Sequence, residues 1–135
     1  MRASPGRPVF TIEITPRAAD IDELGHVNNA VYVRWIQDIA VAHWRAVAPA
    51  EHVDRVVWVV TRHEIDYRAP CLEDEPLTVA TWVGEPNGAR FDRHVEIAGA
   101  DGKVRVRAVT TWALVDRDTR RPMRVTAEIA APFLS

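Results

Sequence analysis

Residues 29–47 read NAVYVRWIQDIAVAHWRAV. Ala30, Val31, Val33, Trp35, Ile36, Ile39, Ala40, Ala42 and Trp44 are apolar, while Arg34, Gln37, Asp38, Val41 and Arg45 fall largely on one stripe. Neither glycine nor proline interrupts the run before Pro49. The spacing predicts a helix of about five turns. It is apolar over most of its circumference and is therefore expected to be buried. Asn28 or Asn29 is a natural N-cap, because a short polar side chain can accept from the unpaired amides of a first turn.

Outward from this helix the pattern becomes strand-like. On the N-terminal side Val9 to Thr15 alternates and stops at Pro16. On the C-terminal side Arg55 to Arg68, rich in Val, Trp, Ile and Tyr, ends before Pro70, and Leu77 to Val83 lies between Pro76 and Gly84. After Asn87-Gly88, a strong hairpin signal, Arg90 to Ile97 sets Phe91, Arg93, Val95 and Ile97 against Arg90, Asp92, His94 and Glu96. A turn at Gly99 to Gly102 leads to an alternating strand, Lys103 to Val115, and Val125 to Ser135 fits a short helix capped by Thr126. Strands joined mostly by hairpin-length turns make an antiparallel sheet. A helix apolar nearly all round needs a sheet that wraps it. The expectation is an α+β domain, one antiparallel sheet curled about a central helix.

Size and charge bound the function. The chain has 135 residues, enough for a single domain over residues 1–135, and a core of useful size. Hydrophobic residues are 47% and charged residues 27%, a globular profile rather than a disordered one. The net charge of −2 offers no field for nucleic acid or an anionic membrane. Cys71 is the sole cysteine, which excludes an intramolecular disulfide and a multi-cysteine zinc site. Its apolar stretches are too short or too interrupted to span a bilayer, and Met1 to Pro8 lacks an apolar signal core. A cytoplasmic protein is expected. A chain this short has little room for a cleft between two domains, so an enzyme site here would call on a second copy.

The chemistry lies in the loop before the helix, Arg17 to Asn28. A calcium loop fits Asp20, Asp22 and Gly25 but puts Leu24 in the fifth place and Val31 in the twelfth, where the clamping glutamate belongs. Asp-x-Asp phosphoryl transfer needs a parallel sheet and Mg²⁺ carboxylates, against the hairpin pattern. His63-Glu64 is not followed by a second helical histidine, and no Gly-rich phosphate loop or Gly-x-Ser-x-Gly turn occurs. What remains is Asp22 just ahead of a helix N-terminus, where free amides carry positive potential and can hold a carbonyl oxygen that gains charge. Asp22 can then act as nucleophile or, through water, as general base, with His26 four residues on to orient substrate, water or carboxylate. In the alternative reading Asp20, Asp22 and Glu23 only decorate a loop and favour the helix dipole.

The pattern Arg17, Asp20-x-Asp22, Gly25-His26-Val27-Asn28-Asn29, Tyr32 and Trp35 spans nineteen residues and resembles the hot-dog-fold thioesterases. It is most similar to the acyl-CoA and acyl-ACP thioesterases grouped with 4-hydroxybenzoyl-CoA thioesterase. Tyr67-x-x-Pro70 followed by Glu73-Asp74-Glu75 resembles that family's second block. The resemblance implies a hot-dog fold and hydrolysis of an acyl thioester to free acid and thiol. It implies Asp22 as the catalytic aspartate, His26 as the histidine of the plant acyl-ACP branch, and the amide at Asn29 as the carbonyl-polarising group. Leu24 stands where that branch has asparagine, a departure that weakens transfer of its full catalytic set. The family implies a homodimer or homotetramer and no metal or redox cofactor, with coenzyme A or acyl carrier protein arriving as part of the substrate.

Other residues have two readings each. Asn28 positions substrate or caps the helix. Tyr32 and Trp35 line an acyl tunnel or pack the core. Asp38, on a helix expected to be buried, needs a partner, either Arg34 at helical spacing or the site of a second subunit. Trp58, Trp82 and Trp112 are expected in the core or a subunit interface, His63 and Glu64 on opposite strand faces, and Cys71 has no adjacent base. From Lys103 to Arg124 seven basic residues face only Asp116 and Asp118, and Arg90 follows the Asn-Gly turn. These form a rim for the phosphates of coenzyme A or for an acidic carrier, or they are ordinary solvated strands. The rival functions are a non-catalytic acyl-thioester-binding protein and a hot-dog dehydratase or hydratase. The His/Asp helix pattern of the latter is missing.

Overall fold

Five strands build one antiparallel sheet in the computed structural model, which describes residues 7–134. Met1 to Gly6, most of the N-terminal stretch read above, and Ser135 lie outside the described residues. The elements are β1 (Phe10–Ile14), α1 (Asn29–Val47), α2 (Ala50–Arg55), β2 (Val56–Tyr67), β3 (Leu77–Asn87), β4 (Arg90–Gly99), β5 (Val104–Asp116) and α3 (Ala127–Leu134). A 3-10 turn, Ala18–Asp20, precedes α1. The sheet order is β1-β3-β4-β5-β2. Only β3–β4 and β4–β5 are hairpins between sequence neighbours; β2 crosses to the far edge and pairs with β5 over Val56 to Tyr67.

The helix bounds match the sequence pattern, but its burial does not. Val31, Tyr32, Trp35, Ile36, Ile39, Ala40 and His43 are buried, whereas Arg34, Gln37, Asp38, Val41 and Arg45 are exposed. A single sheet layer covers one side of a helix and leaves the other stripe outward. Ile36, Ile39, Leu77, Val79 and Ile97 are the centre of one core cluster, each at most 1% exposed. Burial of such side chains contributes roughly 1.5–3 kcal/mol each. A second cluster, with Val83, Phe91, Leu114, Ile129 and Phe133, fills the space between the sheet and α3.

Strand β3 runs past the predicted end at Val83 and through Pro86. The register shifts between Val83 and Pro86, and a bulge tolerates a residue with no N–H to donate. The hairpin then turns at Asn87-Gly88, where Gly88 takes φ +63°, the left-handed value such turns require. Thr126 caps α3 as expected, its hydroxyl accepting from the Ile129 N–H at 3.2 Å. Helix α2, absent from the sequence reading, is a turn and a half long, and its buried His52 meets Glu128 of α3 at 3.1 Å.

Candidate active site

Ile21 and Val27 pair as an isolated antiparallel bridge, which closes Asp22 to His26 into a tight loop. The Asp22 N–H donates to the His26 carbonyl at 2.8 Å and the Gly25 N–H to the Asp22 carbonyl at 3.0 Å. Gly25 sits at φ +80°, a conformation that costs L side chains. The half-buried Asp22 carboxylate accepts through Oδ1 from the N–H of Leu24 at 2.9 Å and of His26 at 3.3 Å. These two bonds orient it, and Oδ2 makes no hydrogen bond among the described residues. His26 is therefore joined to Asp22 through its backbone; its exposed imidazole does not bond the carboxylate.

The loop is anchored by Asp20, which is 5% exposed. Its Oδ2 accepts from the Arg17 N–H at 2.9 Å and its Oδ1 from Arg34 Nη2 at 2.9 Å. The Arg17 hydrogen bond above all, with help from Arg34 and against the cost of burial, holds this carboxyl below its ordinary range. Arg34 thus pairs with the loop, not with Asp38. Asp38 is exposed and makes no ion pair among the described residues. The main chain completes the anchor: the Asn28 N–H donates to the Asp20 carbonyl and the Val27 N–H to the Cys71 carbonyl, both at 2.9 Å.

Asn28 is the N-cap of α1, its Oδ1 accepting from the Ala30 N–H at 2.9 Å. The Val31 N–H donates to the Asn28 carbonyl. The N–H of Asn29, the first residue of α1, has no acceptor among the described residues. One amide at the positive end of a five-turn helix is thereby left available to an incoming oxygen.

Tyr32 and Trp35 are seated in the core, 2% and 4% exposed, with their rings edge to face at 5.6 Å. The Tyr32 hydroxyl accepts from the Cys71 N–H at 3.1 Å, and burial pushes its ionisation far above the usual phenol range. Burial also pushes the Cys71 thiol up. Arg90 opens β4 at the hairpin end of the sheet, whereas the Asp22 loop is tied to Cys71, near the start of β3, so one chain does not bring Arg90 to Asp22. The basic run is divided. Arg105 pairs with Glu75 and Asp101, Arg107 with Glu96, and Arg117 donates to the carbonyls of Val53 and Val56.

The thioesterase-like superfamily matches residues 16–133, from the Ala18–Asp20 turn through nearly all of α3. The chain belongs to that superfamily. Long-chain acyl-CoA thioesterase FadM of Escherichia coli (strain K12) is 24% identical over 123 residues, covering 87% of this chain and 91% of that protein. The chloroplastic acyl-[acyl-carrier-protein] hydrolase FATB3 of Cuphea viscosissima is 28% identical over 75 residues, 55% of this chain. The match spans only 18% of that longer relative. Among solved structures, Slr0204, a 1,4-dihydroxy-2-naphthoyl-CoA thioesterase from Synechocystis, superposes with a TM-score of 0.79 at 18% identity, covering 93% of this chain and 96% of that one. A thioesterase complexed with coenzyme A and Zn from Thermus thermophilus gives 0.81 at 22% identity, covering 96% and 94%. The shared architecture is the hot-dog fold. No helix among the described residues is long and apolar enough to cross a membrane, and no group of three or more His, Cys, Asp or Glu among them is placed to hold a metal ion.

One buried polar group lies outside the motifs of the sequence. Arg93 and His43 meet beneath the sheet, Arg93 Nη1 lying 2.9 Å from His43 Nδ1. The signal was an arginine in register with Phe91, Val95 and Ile97 on the apolar face of β4.

Proposed function

We propose that this chain, as one hot-dog domain over residues 1–135, hydrolyses an acyl-CoA or acyl-ACP thioester to free acid and thiol. The observation that carries the reading is the Asp22 carboxylate. It is oriented by two amides through Oδ1 and has Oδ2 open, in a loop that runs into the helix end with the unpartnered Asn29 N–H. Asp22 takes a proton from water as the water oxygen adds to the thioester carbon. The carbonyl oxygen gains negative charge against the Asn29 amide, and collapse expels the thiolate, which takes up a proton. In the nucleophilic variant Asp22 forms an acyl anhydride that water then opens. Label in Asp22 after hydrolysis in ¹⁸O-water under single-turnover conditions identifies the anhydride route, because only water attack on the Asp22 carbon of an anhydride puts it there. His26 orients substrate from the exposed side of the loop.

Coenzyme A or the carrier enters as part of the substrate, with Asn28 and Arg90 as candidate contacts and Tyr32 and Trp35 as core packing behind the helix start, and the mechanism calls on no metal or redox cofactor. A homodimer or homotetramer, in the cytoplasm, belongs to the same reading. Since Arg90 lies away from Asp22 in one chain, a second subunit is its route to the site.

The test is free-thiol release from a panel of acyl-CoA and acyl-ACP thioesters by the wild type and Asp22→Asn. The variant is expected to lose about 10²–10⁴-fold in turnover. Wild-type turnover in the variant refutes the role of Asp22. Thioester binding without thiol release by the wild type points to a non-catalytic binding protein.

A further inference from the structure

At the other end of α1, away from the Asp22 loop, lies a cavity of about 310 Å³. Its helix residues, Ala40 to Arg45, are eleven to sixteen positions beyond Asn29, about 16–24 Å along the axis. The wall is aromatic, with Trp44, Trp58, Phe91, Trp112 and Phe133. Trp44 stacks on Phe133 at 5.7 Å and meets Trp58 edge to face at 5.7 Å.

The polar groups in this wall are mostly donors. Arg93 lines the cavity and is 6% exposed. Nη1 donates to His43 Nδ1 at 2.9 Å and to the Thr81 hydroxyl at 3.0 Å. Both acceptors are neutral: the Thr81 hydroxyl donates its own proton to the His94 carbonyl, and burial, with Arg93 beside it, pulls His43 down to about 4. The guanidinium carbon stands 5.6 Å from the centre of the Phe133 ring. No carboxylate among the described residues pairs with Arg93, and Nε and Nη2 donate to none of them. Burial pulls Arg93 down only to about 10, so it remains a cation at neutral pH. A buried charge with no counter-ion is costly. The Trp112 indole N–H, in the same wall, is also buried with no acceptor among the described residues. Arg45 and Arg117 join the lining, against one carboxylate, Asp92, which is exposed and bonded to the Thr111 hydroxyl.

We propose that this cavity binds a free carboxylate with an apolar body, about ten non-hydrogen atoms in all at roughly 30 Å³ each, with the carboxylate on Arg93. The aromatic wall takes the body. The planar fork of the guanidinium matches a carboxylate in shape and charge. The inference goes beyond thioester hydrolysis and stands without it.

Octanoate, with ten non-hydrogen atoms, is the probe, octanamide its neutral counterpart, and titration calorimetry on the full chain the measurement. Octanoate is expected to bind saturably and at least tenfold more tightly than octanamide. Arg93→Gln is expected to weaken octanoate at least tenfold and to leave octanamide nearly unchanged. Val53→Trp, which adds bulk to the cavity from α2 and keeps Arg93, is expected to abolish binding, and it decides the matter should Arg93→Gln fail to fold. Asp22→Asn is expected to bind octanoate like the wild type, which separates this cavity from the loop site. No octanoate binding to the wild type at millimolar concentration, equal binding of octanoate and octanamide, or wild-type affinity in Val53→Trp overturns the proposal.

Discussion

Acid sensitivity of the fold should centre on His43. This histidine is 2% exposed, stacked on Phe10 at 4.9 Å and edge-on to Phe133 at 5.0 Å, and its Nδ1 accepts from Arg93. Burial first, then the Arg93 charge, lowers it from 6.5 to about 4. In the unfolded chain it takes up a proton near pH 6.5; in the folded chain it resists until about 4. Across that window the unfolded state binds more protons, so stability falls as pH falls. The contribution is fully present above about pH 7 and fully lost near pH 4. The gap of about 2.5 pH units, at 1.36 kcal/mol each, is worth about 3 kcal/mol. His43→Asn keeps an acceptor near the Nδ1 position and removes the titration. Urea unfolding of both proteins at one concentration, from pH 7 to pH 4, supplies the comparison. Carboxylates titrate in both proteins and cancel in the difference. That difference should shift by about 3 kcal/mol in favour of the Asn variant across the window. A difference that stays constant with pH refutes the argument.

Three further outcomes are expected. Asp20→Ala leaves the Arg17 amide and Arg34 without their acceptor and should cost about 1–3 kcal/mol in urea unfolding, together with slower thiol release, because Asp22 loses its anchor. Gly25→Ala has open space for its Cβ, so only the left-handed backbone is penalised, and a loss of roughly 1–2 kcal/mol by the same assay is expected. Phe133→Ala should cost about 3–5 kcal/mol, lowering the thermal midpoint. The aromatic contacts of Phe133 with His43, Trp44 and Phe91 would be lost together.

Helix α1, the alternating strands, the Asn87-Gly88 turn and the Thr126 cap were legible in the sequence because each is set by neighbours within a few residues. The position of Asp22 just ahead of the helix end was legible for the same reason: the loop and α1 are adjacent in the chain. Periodicity and cap chemistry are local and survive without knowledge of the fold. Tertiary structure alone placed β2 beside β5, since strand pairing joins residues such as Val60 and Trp112, about fifty positions apart. It turned Arg34 toward Asp20 rather than toward Asp38, one turn away on its own helix, because the loop folds back over the helix start. It turned the polar stripe of α1 outward, since one sheet can cover only one side of a helix. It also brought Arg93 of β4 to His43 of α1 in an aromatic wall where no carboxylate among the described residues pairs with it. A guanidinium's partners are fixed by which surfaces pack together, and no periodicity within either segment carries that information.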